Sequence, residues 1–160
     1  MPTEHIVRSY DEDLRKLRDM IARMGGLVER QVSDATRALV RRDSDLAGEV
    51  VQRDVQIDQL EREVEAYCVR LLALRQPMAA DLRLIIACMK VSNDLERIGD
   101  YSANAAKRSI VLASLPGLGS MNGFERMAHL VQENLKAAMD ALVQSDADAA
   151  ERVWAADEPV

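Results

Sequence analysis

Carboxylate and amide side chains recur at helical spacing in one short stretch of the chain, NDLERIGDYSAN. Glu96, Asp100 and Asn104 follow one another at steps of four residues, with Asn93 three residues before the first of them. This spacing places side chains along one face of a helix. Their oxygens are hard ligands that suit Mg²⁺, Mn²⁺, Ca²⁺ or iron.

A second acidic row lies on the preceding predicted helix. Its members share one flank of that helix: Asp54, Asp58, Glu61 and Glu65. Folding the two helices antiparallel about Pro77 pairs positions whose numbers sum to about 152, so the two rows face each other across one groove. Facing carboxylates repel unless a positive charge lies between them. Lys107 is the only lysine in this arc, and Arg62 and Arg97 lie beside it.

These rows have two interpretations, which the spacing alone leaves open. Acidic rows on amphipathic helices are usually solvated faces. Alternatively, a cation or a bridged cluster of metal ions neutralises the groove, and no histidine lies nearby to favour zinc. The candidate ligands are then Glu96, Asp100, Asn104, Asp54, Asp58 and Glu61.

Long helices are predicted to carry the two rows. The first covers residues 4–42, with Gly25–Gly26 as a bend or weak point, and the second covers 45–74, capped by Asp43 or Ser44. The third opens with Pro77 in its first turn and reaches about Leu112. Heptad spacing joins the apolar positions Ile57, Leu60, Val64, Tyr67, Leu71 and Leu74, and likewise Leu84, Cys88, Val91, Leu95, Ile98, Ser102 and Ala105. The pattern predicts an all-α fold, an elongated antiparallel three-helix bundle.

The chain then repeats itself. The segment 27–54 aligns without gaps with 130–157 at an offset of 103 residues. The identical positions include Leu27, Val28, Ala38, Leu39, Val40, Asp43, Asp45, Ala47, Val50 and Asp54. We therefore predict a first three-helix unit over 1–114, a linker over 115–122, and an incomplete second unit over 123–160, which holds its first helix and the start of its second.

The incomplete second unit leaves an apolar face that needs a partner. This face comprises Leu130, Leu135, Met139, Leu142 and Trp154. It could fold back on the first bundle, pair with another chain, or belong to a longer parent protein, and we favour the last. For this chain we expect contacts in a homodimer or higher oligomer to cover the exposed stripe.

Composition and charge exclude several classes of protein. The net charge of −6 argues against nucleic-acid binding, which requires a concentrated basic face. No apolar run approaches the roughly 20 residues of a membrane span, and the first residues lack the apolar core of a signal peptide. We expect a cytoplasmic protein in which Cys68 and Cys88, without CxxC spacing, are buried small hydrophobes.

The combination of three motifs resembles the phosphate transport system regulators of the PhoU family. These motifs are RQPMAADLR (75–83), NDLERIGDYSANAAK (93–107), and the preceding helix with RDVQIDQLE and CVRLLALRQP. The similarity covers the whole chain, and the combination RQP–DLR–LERIGD is highly specific.

The resemblance implies a fold and a site. Family members have two similar three-helix bundles in tandem, and each bundle carries an E(D)xxxD motif, here Glu96 and Asp100. Acidic residues of the preceding helix contribute. Some members bind iron or zinc clusters there, and others bind magnesium, manganese or nickel. This sequence departs from the family in lacking the second ERIGD motif, as a fragment or a cleaved product would.

The resemblance also implies a role. Members are regulators rather than enzymes. They act between the high-affinity phosphate ABC transporter, through its ATPase, and the sensor histidine kinase of the phosphate regulon, which they repress when phosphate is plentiful. The alternatives from the residues are a metal-binding or metal-storage bundle and a metal-free structural helical protein. Carboxylate di-metal bundles usually include histidine ligands inside the bundle, whereas these rows flank the seam.

Overall fold

The computed structural model describes residues 2–117 and 119–156 of the chain, and those residues form an all-α bundle. Its helices are α1 (Pro2–Arg41), α2 (Ser44–Arg75), α3 (Ala79–Ala113), α4 (Asn122–Gln144) and α5 (Ala147–Ala156). The predicted fold class is confirmed. At 40 residues, α1 is about 60 Å long, so the bundle is elongated.

Local signals place the ends of the helices. The Asp43 carboxylate accepts a hydrogen bond of 3.0 Å from the backbone N–H of Leu46, so Asp43 is the cap of α2. The position of Pro77 was predicted wrongly. Gln76 ends α2 in the left-handed conformation, with φ of 46°, and Met78 is the extended N-cap of α3. Pro77 therefore lies in the connection before α3, because the chain reverses direction there.

The helices α1, α2 and α3 share one core, in which the predicted seams are partly correct. The fully buried residues include Leu17, Ile21, Met24, Val28, Ile57, Val64, Cys68, Ile85 and Cys88. Leu74, expected in the α2 seam, is 67% exposed, and Tyr67 is half-buried. On α3, the predicted Leu84, Val91 and Ile98 are only half-buried.

The buried face of α3 is built largely from small residues. It passes through Ser92, Gly99, Ser102, Ala103, Ala106 and Ser109. Small side chains allow α3 to approach α1 and α2 closely, and the hydroxyl groups bond to carbonyls of their own helix, as Ser102 Oγ does to Ile98 O at 2.8 Å. The large apolar residues at heptad spacing lie to one side of this face of small residues, so the predicted seam of α3 is slightly off the buried direction.

Both cysteines are buried and free, as expected. The Cys68 thiol lies 3.7 Å from the carbonyl of Ile85. Burial raises the pKa of Cys68 to about 12, so its thiol stays protonated and unreactive.

Helix α4 folds back along α1. Gly25 is buried at this contact, and a Cβ there would lie 2.5 Å from Cε of Met139. The prediction of a bend at Gly25–Gly26 is not confirmed, because α1 runs through both glycines as one helix. Gly25 instead makes room for α4.

The predicted apolar face of the second unit is only partly covered by this packing. Leu135 and Met139 are buried in the common core, whereas Leu130 and Leu142 are half-buried and Trp154 is 79% exposed. Folding back on the first bundle therefore accounts for one part of the stripe.

The turns that follow α1 and α4 repeat each other at the offset of 103 residues. The backbone N–H groups of Asp43 and Asp146 each donate to the carbonyl five residues earlier, both at 2.9 Å. The preceding residues, Arg42 and Ser145, have left-handed φ of 55° and 54°. Both aspartate side chains accept from the backbone N–H three residues later. The division of the whole chain into two units remains a prediction.

An apolar groove of about 500 Å³ lies between α3, α4 and α5. Its lining includes Ala138, Ala141, Ala150 and Val153, which correspond at the same offset to Ala35, Ala38, Ala47 and Val50. Those four residues of the first unit pack around Ala106 of α3. The lining of the groove therefore matches the surface of the first unit against which α3 packs its face of small residues.

Candidate metal site

Close packing of α2 against α3 positions the acidic rows. The two helices are antiparallel, with Ile57 beside Gly99 near the site and Cys68 beside Ile85 further along. A Cβ on Gly99 would lie 3.0 Å from Ile57 Cδ1 and 3.5 Å from Asp54 Oδ1. The glycine of the ERIGD motif therefore leaves the space that Ile57 occupies, while the Asp54 carboxylate lies at an ordinary contact distance.

Three of the predicted ligands converge in this groove. One carboxylate oxygen each from Asp54, Asp58 and Asp100 lies within 4.8 Å of the other two. Asp54 and Asp58 are half-buried and Asp100 is exposed, so the group opens to solvent. An ion with oxygen ligands at roughly 2.0–2.6 Å separates opposite ligands by up to about 4–5 Å, so three oxygens within 4.8 Å of one another are close enough to share one ion.

Two other predicted ligands, Glu61 and Glu96, border this group. Glu96 is half-buried, and the charges of Asp100, Asp58, Glu61 and Asp54 all act on its carboxylate. Asn104 follows Asp100 by one helical turn and is exposed, as are Glu65 and Asn93.

Basic residues do not neutralise the acidic group. Within residues 2–117 and 119–156, no lysine or arginine forms an ion pair with Asp54, Asp58 or Asp100. Arg97 instead lies 3.5 Å from Asp94, outside the group. The charge of Lys107 lowers the pKa of Asp54. This effect is weaker than the effects of burial, Asp100 and Asp58, which raise it.

Burial and mutual repulsion make the acidic side chains harder to ionise. Burial raises the pKa of Asp54 above its ordinary value, and the charges of Asp100 and Asp58 raise it further. The pKa of Glu96 is raised by burial and then by Asp100 and Asp58. The protein without metal therefore pays a free-energy cost at neutral pH that a cation in the groove would remove.

Two residues of this region escaped the sequence analysis. Gln31 of α1 is fully buried and donates from Nε2 to Asp54 Oδ1 at 2.8 Å. Its signal was a polar residue at a position of α1 where the helical spacing from Val28 and Ala35 demands an apolar one. Gly99 carried a signal too, because a glycine inside a helical pattern costs about 1 kcal/mol and so requires a reason.

Comparison with known proteins identifies the family. A family model described as the PhoU domain matches residues 21–109. A phosphate-specific transport system accessory protein PhoU homolog from Caulobacter vibrioides is 45% identical over 159 residues, covering 99% of this chain and 69% of that protein. A protein of the same name from Pseudomonas aeruginosa is 44% identical over 92% of this chain and 62% of that protein.

This chain belongs to the PhoU family. Solved structures agree, since the crystal structure of PhoU from Pseudomonas aeruginosa matches with a TM-score of 0.91 at 42% identity, over 94% of this chain and 72% of that chain. The phosphate transport system regulatory protein PhoU from Streptococcus pneumoniae matches with a TM-score of 0.87 at 31% identity, over 94% of this chain and 70% of that chain. PhoU proteins are regulatory accessory proteins and not enzymes, in agreement with the expectation from sequence.

The chain spans only part of the length of its relatives. It covers 69% of the Caulobacter protein and 62% of the Pseudomonas protein. Activities and partners of the longer proteins therefore come to this chain as proposals.

The raised pKa values predict how stability depends on pH. Groups with raised pKa values favour the fold below their unfolded pKa and lose that contribution as the pH rises through the folded pKa. Without metal, Asp54→Asn should therefore raise the free energy of unfolding at pH 7 by up to about 1 kcal/mol, or about 2–4 °C in thermal midpoint. The gain should shrink as the pH falls toward the ordinary pKa of an aspartate, because the Asp54 carboxyl group of the parent chain then takes up a proton and the repulsion is relieved. The measurement is thermal unfolding across this range in the presence of a chelator.

The matched control is Glu49→Gln, which removes an exposed carboxylate of α2 away from the groove. It should leave the midpoint unchanged across the same pH range. An Asp54→Asn variant that is less stable than the parent at pH 7 would mean that the acidic group does not repel itself.

Proposed function

We propose that this chain is a regulatory adaptor of phosphate uptake and phosphate-starvation signalling. Membership of the PhoU family over nearly the whole chain is the observation that supports this role. In this role, the adaptor negatively regulates the high-affinity phosphate ABC transporter and, through the sensor histidine kinase, the phosphate regulon. Its partners are then the transporter ATPase and that kinase.

The adaptor has a carboxylate-lined metal site on its bundle. Asp54, Asp58 and Asp100 hold the ion, with Glu61 and Glu96 beside them. Asn104 adds a ligand from the next turn. The ion is divalent or iron-type, chosen among Fe, Zn, Mn, Mg and Ni, and it supplies positive charge that joins α2 to α3.

The alternatives are a metal-storage bundle and a metal-free structural protein. Storage and redox chemistry in helical bundles use ligands inside the bundle, usually with histidines. Here the ligands flank the core and Asp100 is exposed, which favours a site that faces a partner. Within the described residues these carboxylates have no ion-pair partner, which argues against the metal-free alternative.

We place the chain in the cytoplasm, on the side where a transporter ATPase lies. Among the described residues, none of the helices has the length and apolar character needed to cross a membrane. The adaptor would reach the membrane through its partners.

Residues 123–160 begin a second unit in this proposal. The repeated turn and the lining of the apolar groove support the division into 1–114, 115–122 and 123–160. The predicted part of α5 beyond Ala156 lies outside the described residues. In this chain alone, a homodimer or higher oligomer covers the groove and the face that carries Trp154.

Metal binding is tested by elemental analysis and by thermal unfolding with each candidate metal. The parent chain should bind at least one of these metals. At a free metal concentration one hundred times the dissociation constant, binding should add about 2.7 kcal/mol to the free energy of unfolding, or roughly 5–10 °C to the thermal midpoint. Asp100→Asn should weaken binding at least about tenfold because a ligand is lost. Glu49→Gln should behave like the parent. A protein that neither retains nor responds to any of these metals would refute the site.

Regulatory function is tested by capture of the partners. The immobilised chain should retain the transporter ATPase and the cytoplasmic part of the sensor kinase, because an adaptor must contact both. The Glu49→Gln variant, which changes an exposed residue outside the acidic group, is the control and should retain both partners as the parent does. Retention of neither partner, by a folded chain with metal bound, would favour the storage alternative.

Association is tested with the single tryptophan, Trp154. Its side chain is 79% exposed in one chain. Covering it in an oligomer should move its fluorescence emission to shorter wavelength as the protein concentration rises, together with an increase in mass by light scattering. Val153→Asp should abolish both changes because it places a charge in the groove, whereas Tyr101→Ser on α3 should not. A chain that stays monomeric with unchanged emission would contradict the proposed oligomer.

A further inference from the structure

Gln31 connects the acidic groove to the helix on the other side of the core. Its side chain is fully buried, although it belongs to α1, which carries none of the candidate ligands. Nε2 lies 2.8 Å from Asp54 Oδ1 and 3.5 Å from the carbonyl oxygen of Gly99. One amide group thus contacts both α2 and α3 at the point where the site is built.

The orientation of this amide follows from the chemistry of its neighbours. An ionised carboxylate only accepts hydrogen bonds, so the NH₂ group of Gln31 must face Asp54. The amide oxygen, Oε1, is consequently buried, with no hydrogen-bond partner in the described part of the chain. Leaving a buried acceptor unpaired is costly, so folding alone does not explain an amide at this position.

A neutral donor suits a carboxylate that must bind a cation. A lysine at this position would fix Asp54 equally well but would neutralise the charge that attracts the ion. Glutamine fixes the direction of the carboxylate and leaves its negative charge in place. Gly99 borders the same oxygen: a Cβ there would lie at an ordinary contact distance of 3.5 Å from Oδ1, and only Ile57, at 3.0 Å, would be crowded.

We propose that Gln31 is the positioning residue of the metal site: it holds Oδ1 of Asp54 so that the carboxylate presents its other oxygen to the ion shared with Asp58 and Asp100. This inference rests on the metal site of the proposed function. It adds a third helix to a site that the ligands alone assign to α2 and α3. Groups that orient metal ligands in this way typically contribute 10- to 100-fold in metal affinity.

The first test compares Gln31→Met with the parent chain, using manganese chloride as the probe in calorimetric titration. Methionine fills the buried volume and removes the unpaired amide oxygen, so the thermal midpoint in chelator should stay close to that of the parent. The affinity for Mn²⁺ should fall about 10- to 100-fold. Gln132→Met on α4 is the matched control and should leave the affinity unchanged.

The second test shows whether Gln31 acts through Asp54. In an Asp54→Asn background, adding Gln31→Met should cost little further affinity, because the group that it orients has already lost its charge. In an Asp58→Asn background, the same change should cost its full 10- to 100-fold. A purely structural role for Gln31 would give equal losses in both backgrounds.

The outcomes separate this inference from the function on which it rests. A parent chain that binds no Mn²⁺ and no other candidate metal refutes the site, and the inference falls with it. A parent chain that binds, with a folded Gln31→Met variant that binds equally well, refutes the inference and leaves the site standing. Loss of affinity only together with loss of folding also refutes it.

Discussion

Repulsion between carboxylates that helix packing forces together is the constraint on which the rest of the structure depends. Asp54, Asp58 and Asp100 converge because α2 and α3 pack closely at Gly99, and no ion pair relieves their charge within the described residues. The core that produces this packing is ordinary, built from Ile57, Ile85 and similar residues. Packing of the core therefore works against the repulsion between these carboxylates, and a cation bound at the proposed site would remove that repulsion.

The same packing explains how the proposed site, whose ligands are partly exposed, can still have a defined geometry. Asp54 is anchored by the buried Gln31 and lies against Gly99, whereas Asp100 remains open to solvent. A site with a fixed inner ligand and accessible outer ligands can bind an ion and also present it to another molecule. That property suits an adaptor of a transport system better than a store, whose ions must be enclosed.

Much of the fold followed from the sequence because it depends on local patterns. Asp43 caps α2 through chemistry that is visible in RRDSD, and the repeat at an offset of 103 residues predicted the turn at Asp146. Leu74 was misplaced because the heptad rule continues to the end of a helix, where the chain turns away from the core. Pro77 was misplaced because proline suits a first helical turn, whereas here it precedes the N-cap Met78. The path of α4 along α1 depends on contact between Gly25 and Met139, which no local pattern reveals.

The acidic residues of the proposed site could be predicted from the sequence, whereas the residue that contacts them from α1 could not. Spacing on two helices was sufficient to bring Asp54, Asp58 and Asp100 together, since antiparallel register is fixed by the short connection at Pro77. Gln31 comes from a helix whose register against α2 depends on distant contacts such as that of Asp34 with Arg53 at 2.7 Å. Sequence patterns predict which residues share a face, but a contact among three helices requires the assembled core.

Anomalous X-ray scattering from crystals grown with manganese tests the central claim most directly. The account predicts a peak between α2 and α3, at roughly 2.0–2.6 Å from oxygens of Asp54, Asp58 and Asp100. Gln31 should still hold the inner oxygen of Asp54. A groove without a peak in metal-saturated crystals, with the three carboxylates turned away from one another, would contradict it.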